Sequence, residues 1–177
     1  MLSLKNWMGR FFVSKTADPT QEWPHSTLPL PVVDLDNRRF GALRFGDPLE
    51  KARYFGKPDR FRAIRNTYYE LVYTRCGFQL DFDQGLLAYL AFFIGPDPSF
   101  PTSEKISFCQ PSLLGGPILS GKTHQAELLK WLGAPQLQDS DPDETVLYYH
   151  QAGMTLEFEL NPKGYLKRWN LFPKQEG

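Results

Sequence analysis

Two cysteines and three histidines are all that the 177 residues offer to thiol or soft-metal chemistry. Cys76 and Cys109 stand apart without a C-x-x-C pair, and His25, His124 and His150 have neither H-x-x-x-H nor H-E-x-x-H spacing. Neither a disulfide scaffold nor a local zinc site follows from such a set, and both thiols are expected to be reduced. An excess of charge of one sign is also lacking, since 20 basic residues balance 20 acidic ones. Coating nucleic acid needs a clear basic excess, so that role drops out. No apolar run approaches the ~20 residues that span a bilayer. The opening stretch, MLSLKNWMGRFFVSK, is broken by polar residues and lacks a small-x-small cleavage site. A cytoplasmic protein is the resulting expectation. No Ser, Cys or Lys stands in a recognisable nucleophile setting, so neither catalysis nor a cofactor is expected.

What the chain does have is 41% hydrophobic and 15% aromatic residues, enough for a packed core. Leu4, Trp7, Met8, Phe11 and Phe12 recur at helical spacing near the start. They predict a short amphipathic helix that docks on the body of the protein. Lys5, Arg10 and Lys15 beside those aromatics also allow peripheral contact with a membrane surface. Prolines at 19, 24, 29 and 31 then keep the chain extended, so residues 1–42 read as helix plus Pro-rich arm.

Two later segments run in parallel. GDPLEKARYFGKP (46–58) and GKTHQAELLKWLGAP (121–135) each begin with glycine, follow a helical pattern and close on G-x-P. Tyrosine pairs come next, Tyr68-Tyr69 and Tyr148-Tyr149, and then GFQLDFDQGLL (77–87) and GMTLEFELNPKGYL (153–166). In the latter, Phe78, Leu80 and Phe82 alternate with Gln79, Asp81 and Asp83, and Met154, Leu156 and Phe158 alternate with Thr155, Glu157 and Glu159. Such alternation predicts half-buried strands, with turns at Gly85 and Gly164 into further strands near 86–94 and 165–172. Asp47 and Thr123 are the expected N-caps, and Gly56 and Gly133 the expected helix stops. The fold expected is α+β: two tandem repeats, each a short helix on an antiparallel meander of about three strands. Residues 43–94 form the first repeat, 95–117 a connector and 118–177 the second.

Gly46, Leu49, Phe55, Gly56, Pro58, Tyr69, Phe82, Gly85 and Leu87 carry a family pattern in the first segment. Gly121, Leu129, Leu132, Gly133, Pro135, Tyr149, Phe158, Gly164 and Leu166 carry it in the second. The pattern resembles the tandem α/β repeat of the β-lactamase inhibitor proteins and of the related small outer-membrane-assembly lipoproteins. That resemblance implies a binding protein without catalysis, which grips another protein with a sheet face and loops.

GPILSGKT (116–123) fits the phosphate-loop pattern G-x-x-x-x-G-K-[ST] in every defining place. That chemistry needs a buried strand before the loop and free backbone N–H groups within it. Here a Pro- and Gly-bearing stretch precedes the loop, and Pro117 lacks an N–H, so nucleotide binding is not expected. The carboxylate pairs Asp81/Asp83 and Glu157/Glu159 read as the polar sides of amphipathic strands. Two loops differ in sign: DRFRAIR (59–65) is basic and QDSDPDE (138–144) acidic, which suits a charged partner or self-association. The candidate protein-binding residues are Arg60, Phe61, Arg62, Arg65, Tyr68, Tyr69, Tyr148, Tyr149, Tyr165 and Trp169, because exposed aromatics and arginines anchor interfaces. The reading is a non-enzymatic protein-binding module of inhibitor, immunity or assembly type. The alternative is a small-molecule binder or enzyme with a pocket between the repeats, and the third is peripheral membrane association through residues 1–15.

Overall fold

A computed structural model describes residues 17–25, 29–65, 67–97 and 105–174. The amphipathic stretch 1–15 lies outside these residues. The described chain is dominated by one antiparallel sheet in the spatial order β4-β5-β6-β7-β11-β10-β9-β8. Its strands are β4 (Arg60–Arg65), β5 (Tyr68–Tyr73), β6 (Phe78–Asp83), β7 (Leu86–Phe93), β8 (Leu137–Ser140), β9 (Thr145–Gln151), β10 (Met154–Leu160) and β11 (Leu166–Pro173). A small second sheet joins β1 (Val33–Asp34), β2 (Arg39–Phe40) and β3 (Leu43–Arg44). Among the described residues helix is confined to a 3-10 stretch, Leu49–Phe55, and one α-helix, α1, Gln125–Leu132.

This overturns the α+β expectation. With 43% strand and 10% helix the protein is mostly β, and it is not built from repeated helix-on-meander units. Two basic and acidic stretches read as loops are in fact strand: Arg60–Arg65 is β4, and part of the acidic one is β8. Both lie at edges of the sheet, where charged residues are common and apolar alternation is weak. The arm before residue 43 also contains two of the three short strands of the small sheet, and the third, Leu43–Arg44, follows directly.

Hairpin geometry follows from local chemistry. Gln84 and Gly85, with φ of 51° and 76°, make a two-residue turn with both centres left-handed between β6 and β7. Ala152 and Gly153, at 51° and 71°, do the same between β9 and β10. Turns of this type match the twist of the flanking strands. The 3-10 helix starts after Pro48 without a side-chain cap, whereas α1 is capped by His124 rather than by Thr123. The Thr123 hydroxyl instead accepts from Ser120 N at 3.0 Å. Asp47 likewise caps no helix and accepts from Arg44 N and Lys51 Nζ.

One face of the large sheet holds the core. Leu71, Leu80, Phe82, Leu90, Phe92, Leu156, Phe158, Trp169 and Leu171 are fully buried there. Val33, Phe40 and Leu43 of the small sheet, Leu49, Ala52 and Phe55 of the 3-10 helix, and Leu128 of α1 complete the same cluster. At 20–33 cal/mol per Å² of apolar surface removed from water, this layer is the main stabilising term.

Candidate functional site

The opposite face of the sheet carries the polar half of each alternation. Glu70 pairs Asp81 across β5 and β6, Asp81 pairs Tyr89 on β7, and Asn170 of β11 pairs Glu157 of β10. No described helix or strand is placed over this face. Its side chains are nonetheless locked together. Tyr68 Oη donates to Asp81 Oδ2 at 2.7 Å and Gln79 Nε2 to Asp81 Oδ1 at 2.8 Å. Arg60 Nη2 lies 3.2 Å and Arg62 Nη1 3.6 Å from Glu70 Oε1. Asn170 Nδ2 donates to Glu157 Oε1 at 2.7 Å and to Glu159 Oε1 at 2.6 Å. Between the two carboxylate groups the Tyr89 and Phe172 rings stack at 6.0 Å.

Burial governs the electrostatics of this array. Desolvation pushes the Asp81 carboxyl up to about 6, against the opposing effect of its Tyr68 and Gln79 hydrogen bonds. Glu157 is raised for the same first reason, with the Asn170 amide working against it. The Tyr68 and Tyr89 phenols are also raised by burial, so neither ionises near neutrality.

A β-bulge extends the charged network to the start of β11. Leu160 pairs Leu166 while Glu159 pairs Arg168, which leaves Lys167 as the extra residue. The bulge aims two successive cations at one carboxylate: Arg168 Nη2 lies 3.2 Å from Asp97 Oδ2, and buried Lys167 Nζ lies 3.9 Å from Asp97 Oδ1. Lys167 Nζ also meets Glu144 Oε2 at 2.7 Å. Next to this group is a cleft of about 1040 Å³ bounded by Asp97, Asp141, Asp143, Glu144, Lys163 and Lys167, among others.

The candidate residues divide between the two faces. Arg60 and Arg62 pair Val72 and Glu70, and Arg65 pairs Tyr68, on the polar side of β4 and β5. Tyr148 faces Glu157 on the same side, three strands beyond β7. Phe61 and Tyr69 stack on each other at 5.9 Å and pack against the core instead. Two anchors have to be withdrawn: Trp169 is fully buried, stacked between Phe92 at 5.1 Å and Phe158 at 5.8 Å. Tyr149 is buried too, with its hydroxyl on Gly133 O at 3.0 Å. Tyr165 is exposed but sits edge-on to His124 at the start of α1, away from the polar array. Tyr89, Phe172 and Asn170 were not among the candidates, although strand parity had already placed Asp81 and Glu157 on the polar side.

The phosphate-loop look-alike has most of its backbone N–H groups already committed. Gly116 N donates to Leu113 O, Leu119 N to Pro111 O, Lys122 N to Ser120 Oγ and Thr123 N to Ser120 O. Leu119 is a core residue, Lys122 is exposed, and the large sheet is antiparallel throughout. Gly121 serves packing: a Cβ there would lie 3.2 Å from Gly95 Cα and from Ile94 O.

Comparison with known proteins gives fold and nothing further. No family model matches the chain, and no curated protein sequence does. Among solved structures the chain is similar to a cysteine-rich secretory protein from Staphylococcus aureus, at 10% identity and a TM-score of 0.46, covering 73% of this chain and 44% of that one. It is also similar to a DUF4309 family protein (YjgB) from Bacillus subtilis, at 17% identity and a TM-score of 0.51. That likeness covers 76% of this chain and 84% of the Bacillus protein, so the two share a fold across most of their lengths.

Proposed function

We propose that this chain is a non-enzymatic protein-binding module, of inhibitor, immunity or assembly type, that holds its partner on the polar face of the large sheet. The observation that carries this reading is the Tyr68–Asp81–Gln79 and Glu157–Asn170–Glu159 network, in which buried Asp81 and Asn170 fix the half-buried Tyr68, Gln79, Glu157 and Glu159 around them. Side chains already held in one geometry lose little entropy on binding, which favours affinity. Tyr148 and the Tyr89–Phe172 pair add aromatic area among the charges.

The test uses affinity capture from native extract with three baits: the wild-type chain, Asp83→Lys/Tyr148→Glu on the polar face, and Lys130→Glu on exposed α1. The expected result is a stoichiometric partner that the polar-face variant binds at least roughly tenfold more weakly and the α1 variant binds as before. Equal binding by all three baits, or no saturable partner, rejects the reading.

The charged cleft favours a second reading, a small ligand carrying charges of both signs held between Lys163, Lys167 and the surrounding carboxylates. Mass spectrometry of the denatured chain would then find a copurifying compound that Lys163→Ala loses.

A further inference from the structure

The two edges of the large sheet, β4 and β8, are charged oppositely. Arg60, Arg62 and Arg65 lie on β4, while β8 and its following turn carry Asp139, Asp141 and Asp143. Among the described residues nothing pairs with the outer side of either strand. An edge strand presents a row of backbone donors and acceptors, and charge is the usual means of keeping it from pairing with another copy. Here the means is one-sided. Bringing β4 to β4 sets arginine against arginine, and bringing β8 to β8 sets aspartate against aspartate. Bringing β4 to β8 does neither.

We infer that a second copy of this chain is the partner of these edges: β8 of one molecule adds antiparallel to β4 of the next, with Arg62 opposite Asp139 and Ile64 opposite Leu137. Three observations converge on that register. Arg62 has a side chain 56% exposed and Asp139 is exposed, so both charges are accessible. Ile64 and Leu137 are exposed large hydrophobics, at 50% and 59%, each two residues from the charge on its own strand, and Ile64 is the extra residue of the bulge between Ala63 and Arg65. The backbone parity also agrees. Asp141 N bonds Glu144 O, so the ladder places Asp139 as a residue bonded inward to Val146 and leaves Gln138 and Ser140 directed outward. On β4, Asp59 N reaches Val72 O beside the Arg60–Val72 pair, so Arg60 and Arg62 bond inward and Phe61 and Ala63 face outward. In the stated register Phe61 meets Ser140 and Ala63 meets Gln138, so outward groups meet outward groups. Arg62 and Asp139 then form a pair without its own backbone bonds, the closer kind of cross-strand neighbour.

The contact joins two different surfaces, so it is head-to-tail and propagates the sheet from copy to copy. Its backbone pairing runs along the strand edges, with Arg62 and Asp139 at the two margins of the polar face, and it does not require the function proposed above.

Sedimentation velocity of the full chain at rising concentration, in low and high salt, tests it. The wild-type mass should grow with concentration and fall back as salt is added. Arg62→Asp alone and Asp139→Arg alone should each weaken association by about tenfold. The double variant, and an equimolar mixture of the two single variants, should recover it. Arg62 also lies 3.6 Å from Glu70. Ile64→Lys and Leu137→Glu, singly and together, therefore repeat the exchange without touching that ion pair. A wild-type chain that stays monomeric, single variants that associate as well as wild type, or combinations that fail to recover overturn the inference.

Discussion

Strands β4–β7 and β8–β11 contribute equally in number to the large sheet, but their covers differ in depth. Over the first four lie both the small sheet and the 3-10 helix. Phe40 stacks on Phe55 at 5.0 Å and meets Phe78 and Phe92 edge-on at 5.2 and 5.4 Å. Over the last four lies α1, of which Leu128 alone is buried, and β8 is exposed along its whole length. The helical segments differ accordingly. The 3-10 turn has no side-chain cap and is tied down through Leu49 N to Gly85 O and Gly46 N to Leu87 O. In α1 the cap is reciprocal: His124 Nδ1 accepts from Ala126 N at 3.2 Å, and Glu127 Oε2 accepts from His124 N at 2.9 Å. One segment is shaped by what it packs against and the other by its own sequence.

The deepest cut into that contrast is Phe40→Ala, which removes the ring shared by small sheet, 3-10 helix and large sheet. A loss of about 3–5 kcal/mol is expected by urea denaturation, with the 3-10 segment losing hydrogen-exchange protection and α1 keeping it. Equal loss of protection in both segments would show that the two halves are not held differently.

An intermediate effect, of opposite sign, is expected at Asp81. Its folded carboxyl is raised to about 6 by burial, from an ordinary value of 3.8. The folded state therefore holds this proton more tightly than the unfolded state does. The extra stability is full below pH ~4 and lost as pH rises through ~6. Asp81→Asn should flatten that decline and, at pH 7, stabilise the chain by about 1–2 kcal/mol. Glu157→Gln in the other half should shift stability in the same direction, since burial raises Glu157 as well.

The smallest change is Glu127→Ala, which opens the α1 cap. About 0.5–1 kcal/mol should be lost in thermal unfolding, with no effect on the 3-10 segment.

Much of the local structure could be read from residue types. Alternation at Phe78–Asp83 and Met154–Glu159 marked two strands, and the glycines at 56 and 133, with φ of 76° and 79°, end the two helical segments. The fold class could not be read this way. Strand β4 has Arg at 60, 62 and 65 because it lies at an edge, and that composition is the same as a solvated loop's. His124 replaces Thr123 as the cap because its ring nitrogen reaches Ala126 N, a choice set by where the backbone turns. Trp169 faces the core, with the Lys167 bulge shifting the side-chain alternation of β11 after Leu166, and its residue type alone carries no sign of that. The polar array was half visible, since parity separates Asp81 from Leu80. Gln79 stands two residues before Asp81 on the same strand, but Tyr68 reaches it only through the register of β5 on β6, which no local pattern encodes.

Strand β11 is the last of the described strands along the chain but lies at the centre of the sheet, with Leu171 opposite Leu90 of β7. On a ribosome adding ~5–20 residues per second, β7 would be finished roughly 4–16 s before its central partner exists. Through that interval the nascent chain carries an unpaired edge beside Leu90 and Phe92, both fully buried once the sheet is complete. The order of manufacture thus makes the centre of the sheet, rather than its rim, the place most open to misassembly and to chaperone capture.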